Sequence, residues 1–292
     1  MIQIKNLAKS FRKHRVLLPI DDLHIEQGVC VILGLNGMGK TTLMKILVGI
    51  LPPDQGIVLY NNKKVQESVS QIGVVFDQPL VYPHLSGLEN LEYFNHFREQ
   101  PVSKQRILGL AVEWNIPQDN RPVSTYSLGM KKRLGIALSL LGDPDFLFLD
   151  EPFNGLDFDS QEKLLQLINC YDEQGKTVIL ISHDFDLALK LADHILLLHQ
   201  GQLIQINDIA QSLYPFIQVH IHINGRMVPD ELNPYINQSR VLKEKMEIVV
   251  SKQNEEMVVN KLISSGLIIN SIENKCPSLD RMIEHLAKGV RK

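Results

Sequence analysis

A chain of 292 residues has room for about two domains, and with 44% hydrophobic and 22% charged residues it can bury a sizeable core. That excludes a disulfide-stapled miniature scaffold and a disordered segment. The formal net charge of −3, from 30 Lys+Arg against 33 Asp+Glu, argues against a nucleic-acid or anionic-lipid partner held by bulk charge.

At the amino terminus, Ile2 and Ile4 alternate with polar residues, and the chain then turns basic through Lys9, Arg12, Lys13, His14 and Arg15. The stretch lacks the apolar centre of a secretion signal. With Phe11 as its only aromatic and an acidic domain around it, the basic run reads as a solvated hairpin turn, and no nucleic-acid partner is expected. Val29 to Leu33 is an apolar strand that runs into a glycine-rich loop and then the helical stretch Leu43 to Val48; Ile72 to Phe76 is a further strand. Between Pro79 and Leu141 the strand signal disappears. Gly87 to Phe97, Ser103 to Trp114 and Leu128 to Leu141 carry helical periodicity instead, which predicts a helical subdomain over about 79–141. Phe146 to Leu149 and Thr177 to Ile181 are apolar runs suited to strands buried on both faces. Residues 1–210 are therefore expected to form an α/β domain around a largely parallel sheet.

From about Gln211 the pattern restarts. Phe216 to Ile223 alternates as a half-buried strand, Met246 to Val250 and Leu267 to Ile272 follow as strands, and Glu255 to Ile263 as a helix. Leu279, Met282, Ile283 and Leu286 fall on one face of a closing helix over Ser278 to Leu286, after a short linker near Ser212 to Pro215. Residues 211–292 thus read as a small α+β domain. Cys30, Cys170 and Cys276 are widely separated, have no metal-ligand spacing and leave one unpaired, which fits a reducing compartment. A membrane-spanning helix needs about 20 mostly apolar residues and no run comes near that, so a role at a membrane requires a partner chain.

Two motifs carry chemistry. Gly34-Leu35-Asn36-Gly37-Met38-Gly39-Lys40-Thr41-Thr42 fits the phosphate-binding pattern G-x-x-x-x-G-K-[ST] between a strand and a helix. Glycines let the backbone wrap phosphate oxygens, N–H groups and the helix amino terminus face the anion, Lys40 adds a positive charge, and the Thr41 hydroxyl can ligate Mg2+. Phe146-Leu147-Phe148-Leu149-Asp150-Glu151 delivers two acids at a strand's carboxyl end, where α/β folds hold ligands. Asp150 would orient Mg2+ and its water, and Glu151 would polarise the attacking water as a general base.

With these motifs in this order, residues 1–208 resemble the ATP-binding cassette ATPase family, a P-loop NTPase fold with a helical subdomain. The resemblance implies ATP as substrate and Mg2+ as cofactor. It also implies roles that the residues alone do not: Gln78 as the glutamine that senses Mg2+ and meets the membrane partner, and His183 as the switch histidine at the γ-phosphate. Ser127-Leu128-Gly129-Met130 corresponds to the signature S-G-G-Q, keeping the serine and the second glycine. Asn154-Gly155-Leu156-Asp157 resembles the loop that crosses between subunits, so Asp157 joins the nucleotide-binding set, and Phe11 stands where the family stacks an aromatic on adenine.

Tyr126-Ser127-Leu128-Gly129-Met130-Lys131 is similar to cassettes of antibiotic and bacteriocin export, and Cys276 to Met282 resembles the accessory domain of some export-type cassettes. The resemblance further implies a head-to-tail pair of ATPase subunits, a separately encoded membrane permease, and a cytoplasmic location on the face of the membrane. A soluble cassette ATPase that regulates or assembles a partner is the alternative; a cassette for DNA repair or translation is disfavoured by the single cassette and the lack of a long coiled coil.

Overall fold

A computed structural model describes residues 1–12, 14–206, 216–223, 227–242 and 245–275, and the chain divides into two units, Met1–Gln205 and Ile206–Lys292. The first unit opens with strands β1 (Ile2–Phe11), β2 (His14–Ile25) and β3 (Gly28–Leu33), then α1 (Lys40–Leu47), β4 (Gln55–Tyr60), β5 (Lys63–Lys64) and β6 (Ile72–Val75). Helices α2 (Gly87–His96), α3 (Lys104–Glu113) and α4 (Leu128–Ser139) come next. They are followed by β7 (Phe146–Asp150), α5 (Phe158–Glu173), β8 (Thr177–Ser182), α6 (Phe185–Leu191), β9 (His194–His199) and β10 (Gln202–Ile206).

A six-stranded sheet has the order β10-β9-β3-β8-β7-β6. Strand β3 runs parallel to both β8 and β9, and β7 parallel to β6 and β8. Every residue of β3, β7 and β8 is buried, which is why these strands read as continuous apolar runs. The expected largely parallel sheet is only part of the domain, because a second sheet of order β2-β1-β4-β5 is antiparallel throughout. The cause is local: so short a turn from Phe11 to His14 can join only antiparallel neighbours, since a parallel pair needs a crossover of about a dozen residues.

Helix α1 is packed in one core with both sheets. Leu43, Met44, Ile46 and Leu47 share it with Ile2, Ile4 and Leu17 of the antiparallel sheet and with Ile32, Phe148 and Ile181 of the parallel one. Tyr60 donates its hydroxyl to the Leu47 carbonyl at 2.8 Å and meets the Phe146 ring edge-on at 4.8 Å, pinning the end of the helix. The loop that precedes α1 therefore springs from a rigid base. The segment from Pro79 to Leu141 contains no strand, and its helices are capped by Ser86, Ser103 and Ser127; Ser86 and Glu89 form a reciprocal capping box.

The second unit holds β11 (Phe216–His222), β12 (Ile236–Leu242), β13 (Lys245–Ser251), α7 (Glu255–Ser264) and β14 (Ile268–Lys275). Its antiparallel sheet has the order β12-β13-β11-β14, and Val258 and Leu262 of α7 pack in one core with Ile217, Val219, Ile221, Ile248 and Val250. Strand β12, Ile-Asn-Gln-Ser-Arg-Val-Leu, was not anticipated from the pattern because its middle is polar and it lies at the sheet edge. The expected closing helix over Ser278 to Leu286 and the linker near Ser212 to Pro215 lie outside the described residues.

Candidate active site

The loop from Gly34 to Gly39 carries the chain from buried β3 into α1. Gly39 has φ 96°, and a Cβ there would lie 2.8 Å from Val16 Cγ1, so both conformation and space demand glycine. No side chain caps the amino terminus of α1, which leaves its first N–H groups free for an anion. Lys40, the first helical residue, is buried; its Nζ donates to the Gly34 carbonyl across the loop and lies 3.8 Å from Glu151 Oε1. Burial holds its pKa below the ordinary lysine value, with the Glu151 and Asp150 carboxylates opposing.

Strand β7 delivers the acids. Asp150 is buried, and its Oδ2 accepts a hydrogen bond from the Thr41 hydroxyl at 3.1 Å. Burial raises its pKa above the usual carboxylate value; Glu151 and Asp77 add to the rise, while the Thr41 hydrogen bond and the Lys132 charge oppose it. Glu151 adopts φ 44°, a left-handed conformation that costs about 1–2 kcal/mol in a residue with a side chain. Its N–H donates to the Ile181 carbonyl at 3.0 Å, and its Oε1 lies 2.8 Å from Nδ1 of His183, an exposed ring just beyond β8.

A cavity of about 410 Å³ joins these groups. It is lined by Phe11 and His14, by Asn36, Gly37 and Gly39 with Lys40, Thr41 and Thr42, and by Asp77, Asp150 and Glu151. Gly34 contributes through its carbonyl on Lys40. Both Asp77 and Gln78 are exposed, but the cavity is lined by Asp77 and not by Gln78. The chain bends there, and buried Lys132 pairs with the Asp77 carboxylate at 3.1 Å. Asp77 and Lys132 escaped the sequence reading, and His14, read there as part of a solvated hairpin turn, lines the cavity. Lys132 had a signal, since it falls in helical phase with the buried Gly135, Ile136 and Ser139, where a lysine needs a partner.

The family model described as ABC transporter matches residues 21–154, the span that holds the phosphate loop and both acids. The lantibiotic transport ATP-binding protein SrtF of Streptococcus pyogenes is 35% identical over 207 residues, 70% of this chain and 89% of that protein. The uncharacterized ABC transporter ATP-binding protein YcbN of Bacillus subtilis (strain 168) is 31% identical over 307 aligned positions, 99% of this chain and 97% of that protein, so this likeness extends through the second unit. This chain belongs to the ABC transporter ATP-binding proteins. It is an ATPase, the ATP-binding subunit of an ABC transporter. Its fold is shared with the dimeric post-hydrolysis structure of the ATP-binding cassette MJ0796 bound to ADP and Pi, at 26% identity and a TM-score of 0.63, over 71% of this chain and all of that one.

Outside the cavity of this cassette, the signature segment and the Asn154 to Asp157 loop lie against each other. Ser127 caps α4, its Oγ accepting from the Met130 N–H at 3.3 Å. A Cβ on Gly129 would lie 2.6 Å from the Gly155 carbonyl, so the two loops touch through backbone. Asp157 caps α5 by accepting from the Ser160 N–H at 2.9 Å, and Arg133 reaches its other oxygen at 3.4 Å; the hydrogen bonds from Ser160 come first in holding its pKa below the usual value. Ser127, Gly129 and Asp157 thus form a second surface, apart from the residues that line the cavity of the same subunit.

Proposed function

We propose that this cassette hydrolyses ATP with Glu151 as general base, within a head-to-tail dimer, and drives a separately encoded permease in export. The observation that carries the reading is the Glu151 carboxylate in the phosphate-loop cavity, 2.8 Å from His183 Nδ1 and 3.8 Å from Lys40 Nζ. ATP is held by the loop backbone from Asn36 to Gly39, by the N–H groups of Thr41 and Thr42 at the uncapped helix start, and by Lys40; Phe11, half exposed in the same cavity, stacks on the base. Glu151 takes the proton of the attacking water, and His183 holds that carboxylate while facing the γ-phosphate.

Among the described residues no group of three or more His, Cys, Asp or Glu is placed to hold a metal by itself. The Thr41 hydroxyl and Asp150 carboxylate fit Mg2+ nonetheless, because that ion takes hard oxygens from one or two side chains and completes its shell with water and phosphate. When bound, Mg2+ neutralises charge on the phosphates. Thr41 and Asp150 are already oriented toward each other, so the donor pair is preorganised.

Ser127 and Gly129 stand at a helix amino terminus but outside this subunit's cavity, which supports their closing on ATP held by a second copy or a related cassette, with Asp157 at the crossing. Among the described residues no helix is long and apolar enough to cross a membrane. In this reading the permease is a separately encoded chain, with the cassette peripheral on the cytoplasmic face of the membrane. Its docking face includes the exposed Leu80, Tyr82, Tyr93 and Phe97, where Tyr82 and Tyr93 meet at 4.6 Å and Tyr93 and Phe97 at 5.0 Å; Gln78 stands beside this face. Such an exposed apolar patch is characteristic of an interaction surface. The likeness to SrtF and the Tyr126 to Lys131 sequence support export, and the second unit is read as the accessory domain of such systems. Purification from native membranes tests the reading. A hydrophobic polypeptide should co-purify, and recovery of the cassette only from the soluble fraction with no such partner would contradict it.

A further inference from the structure

Lys132 has no solvent-exposed surface, and a buried ammonium is strongly unfavourable unless it is paired and hydrogen-bonded. Its Nζ lies 3.1 Å from Asp77 Oδ1 and 3.0 Å from the main-chain carbonyl of Glu151. Three segments meet at that one nitrogen: the helix that follows Ser127, the bend after β6 that leads into the helical segment, and the turn after β7. Lys132 sits on the buried face of α4, so the ammonium cannot swing out to water without moving the helix.

The carbonyl it binds belongs to the residue with φ 44°. The Glu151 N–H is tied to the Ile181 carbonyl at 3.0 Å, and the Glu151 carbonyl accepts from the Asn154 N–H at 3.3 Å as well as from Lys132, so both main-chain polar groups of Glu151 are held and the shorter bond to the carbonyl is that of Lys132. Only side-chain rotation remains, and the carboxylate is directed toward His183 and Lys40. We propose that Lys132 is a positioning residue for ATP hydrolysis, fixing the backbone of Glu151 and, through Asp77, locking the bend after β6 to the same point. A shift of α4 against β7 then moves the general base, so the arrangement of the helical segment is felt at Glu151. The proposal rests on Glu151 being that base.

Lys132→Met keeps the unbranched stem and removes the ammonium. The full-length chain is assayed for affinity toward a fluorescent ATP analogue, for kcat and KM, and for single-turnover phosphate release, in wild-type and Glu151→Gln backgrounds. Affinity and KM should stay within about twofold while kcat falls roughly 10- to 10²-fold, the size of effect expected of a small misplacement of a reacting group. In the Glu151→Gln background the same substitution should cause no further fall, because residues that act through one another are not additive.

Asp77→Asn, which removes the charge and keeps an oxygen to accept from the Lys132 ammonium, gives a second arm, with a melting curve to check that the fold is intact: kcat should drop about 3- to 10-fold at unchanged affinity, the loss of a charge-assisted bond. Wild-type kcat in both Lys132→Met and Asp77→Asn, or an equal fall with and without the Glu151 carboxylate, overturns the positioning role. If Glu151→Gln hydrolyses ATP at the wild-type rate, the general-base reading fails and the proposal with it. If Glu151→Gln is inactive and Lys132→Met fully active, only the positioning role fails.

Discussion

Thr41 and Asp150, 109 positions apart in sequence, meet through a 3.1 Å hydrogen bond from hydroxyl to carboxylate. The bond brings the phosphate loop and the acidic strand end into one site. Asp150 is nonetheless under stress, since burial, only partly offset by that bond, holds its pKa above the usual carboxylate value.

That stress predicts a stability effect of definite sign. A carboxyl whose folded pKa is raised is neutral in both folded and unfolded states at low pH; above the raised value it carries its charge in the fold at a cost. Asp150→Asn should therefore raise the thermal midpoint of the nucleotide-free protein at neutral pH. The gain should shrink as pH falls through the raised pKa toward the ordinary aspartate range, while hydrolysis is lost. Melting curves of both proteins across pH check this; a midpoint lowered by the substitution at neutral pH would contradict it.

The exposed face at Leu80 and Phe97 should matter to a partner and not to the nucleotide. Phe97→Asp places a charge on a ring that is 69% exposed, at little cost to the fold. Co-purification of the hydrophobic partner from membranes should drop at least roughly tenfold, the effect of losing an aromatic anchor, with ATP affinity unchanged. Retention of the partner at wild-type yield would move the docking face elsewhere.

The phosphate loop and the two acids were legible in sequence because each is a contiguous motif fixed by its own strand and helix. Asp77 was not legible, because its partner, Lys132, lies 55 positions away. Helical phase alone could have marked Lys132 as buried, but not its partners. The antiparallel sheet was half visible, through the alternation of Ile2 and Ile4; its pairing with β4 required knowing that the two strands meet across the intervening phosphate loop and α1. Ser127, Gly129 and Asp157 were found by likeness, and their separation from the cavity is a property of the folded chain.

Complementation addresses that separation. Lys40→Ala removes the charge on the β- and γ-phosphates and should weaken ATP binding roughly 10- to 10²-fold, while Ser127→Arg should leave binding to a monomer nearly intact and block closure. Each protein alone should be inactive. A mixture that forms mixed dimers pairs the intact phosphate loop of one with the intact Ser127 of the other and should recover part of the ATPase rate. A cysteine at Ser127 should also crosslink to the partner's loop in the presence of ATP, and absence of that crosslink would rule out the trans arrangement.

The most direct measurement on the central claim is the behaviour of Glu151→Gln with ATP and Mg2+, followed by steady-state hydrolysis and by light scattering together. With Glu151 as base in an ATP-closed dimer, the variant should bind ATP as the wild type does, hydrolyse it roughly 10²- to 10⁴-fold more slowly, and shift from the 33.2 kDa monomer to a species of twice that mass. A variant that hydrolyses ATP at the wild-type rate, or binds ATP while remaining a 33.2 kDa species, would contradict the account.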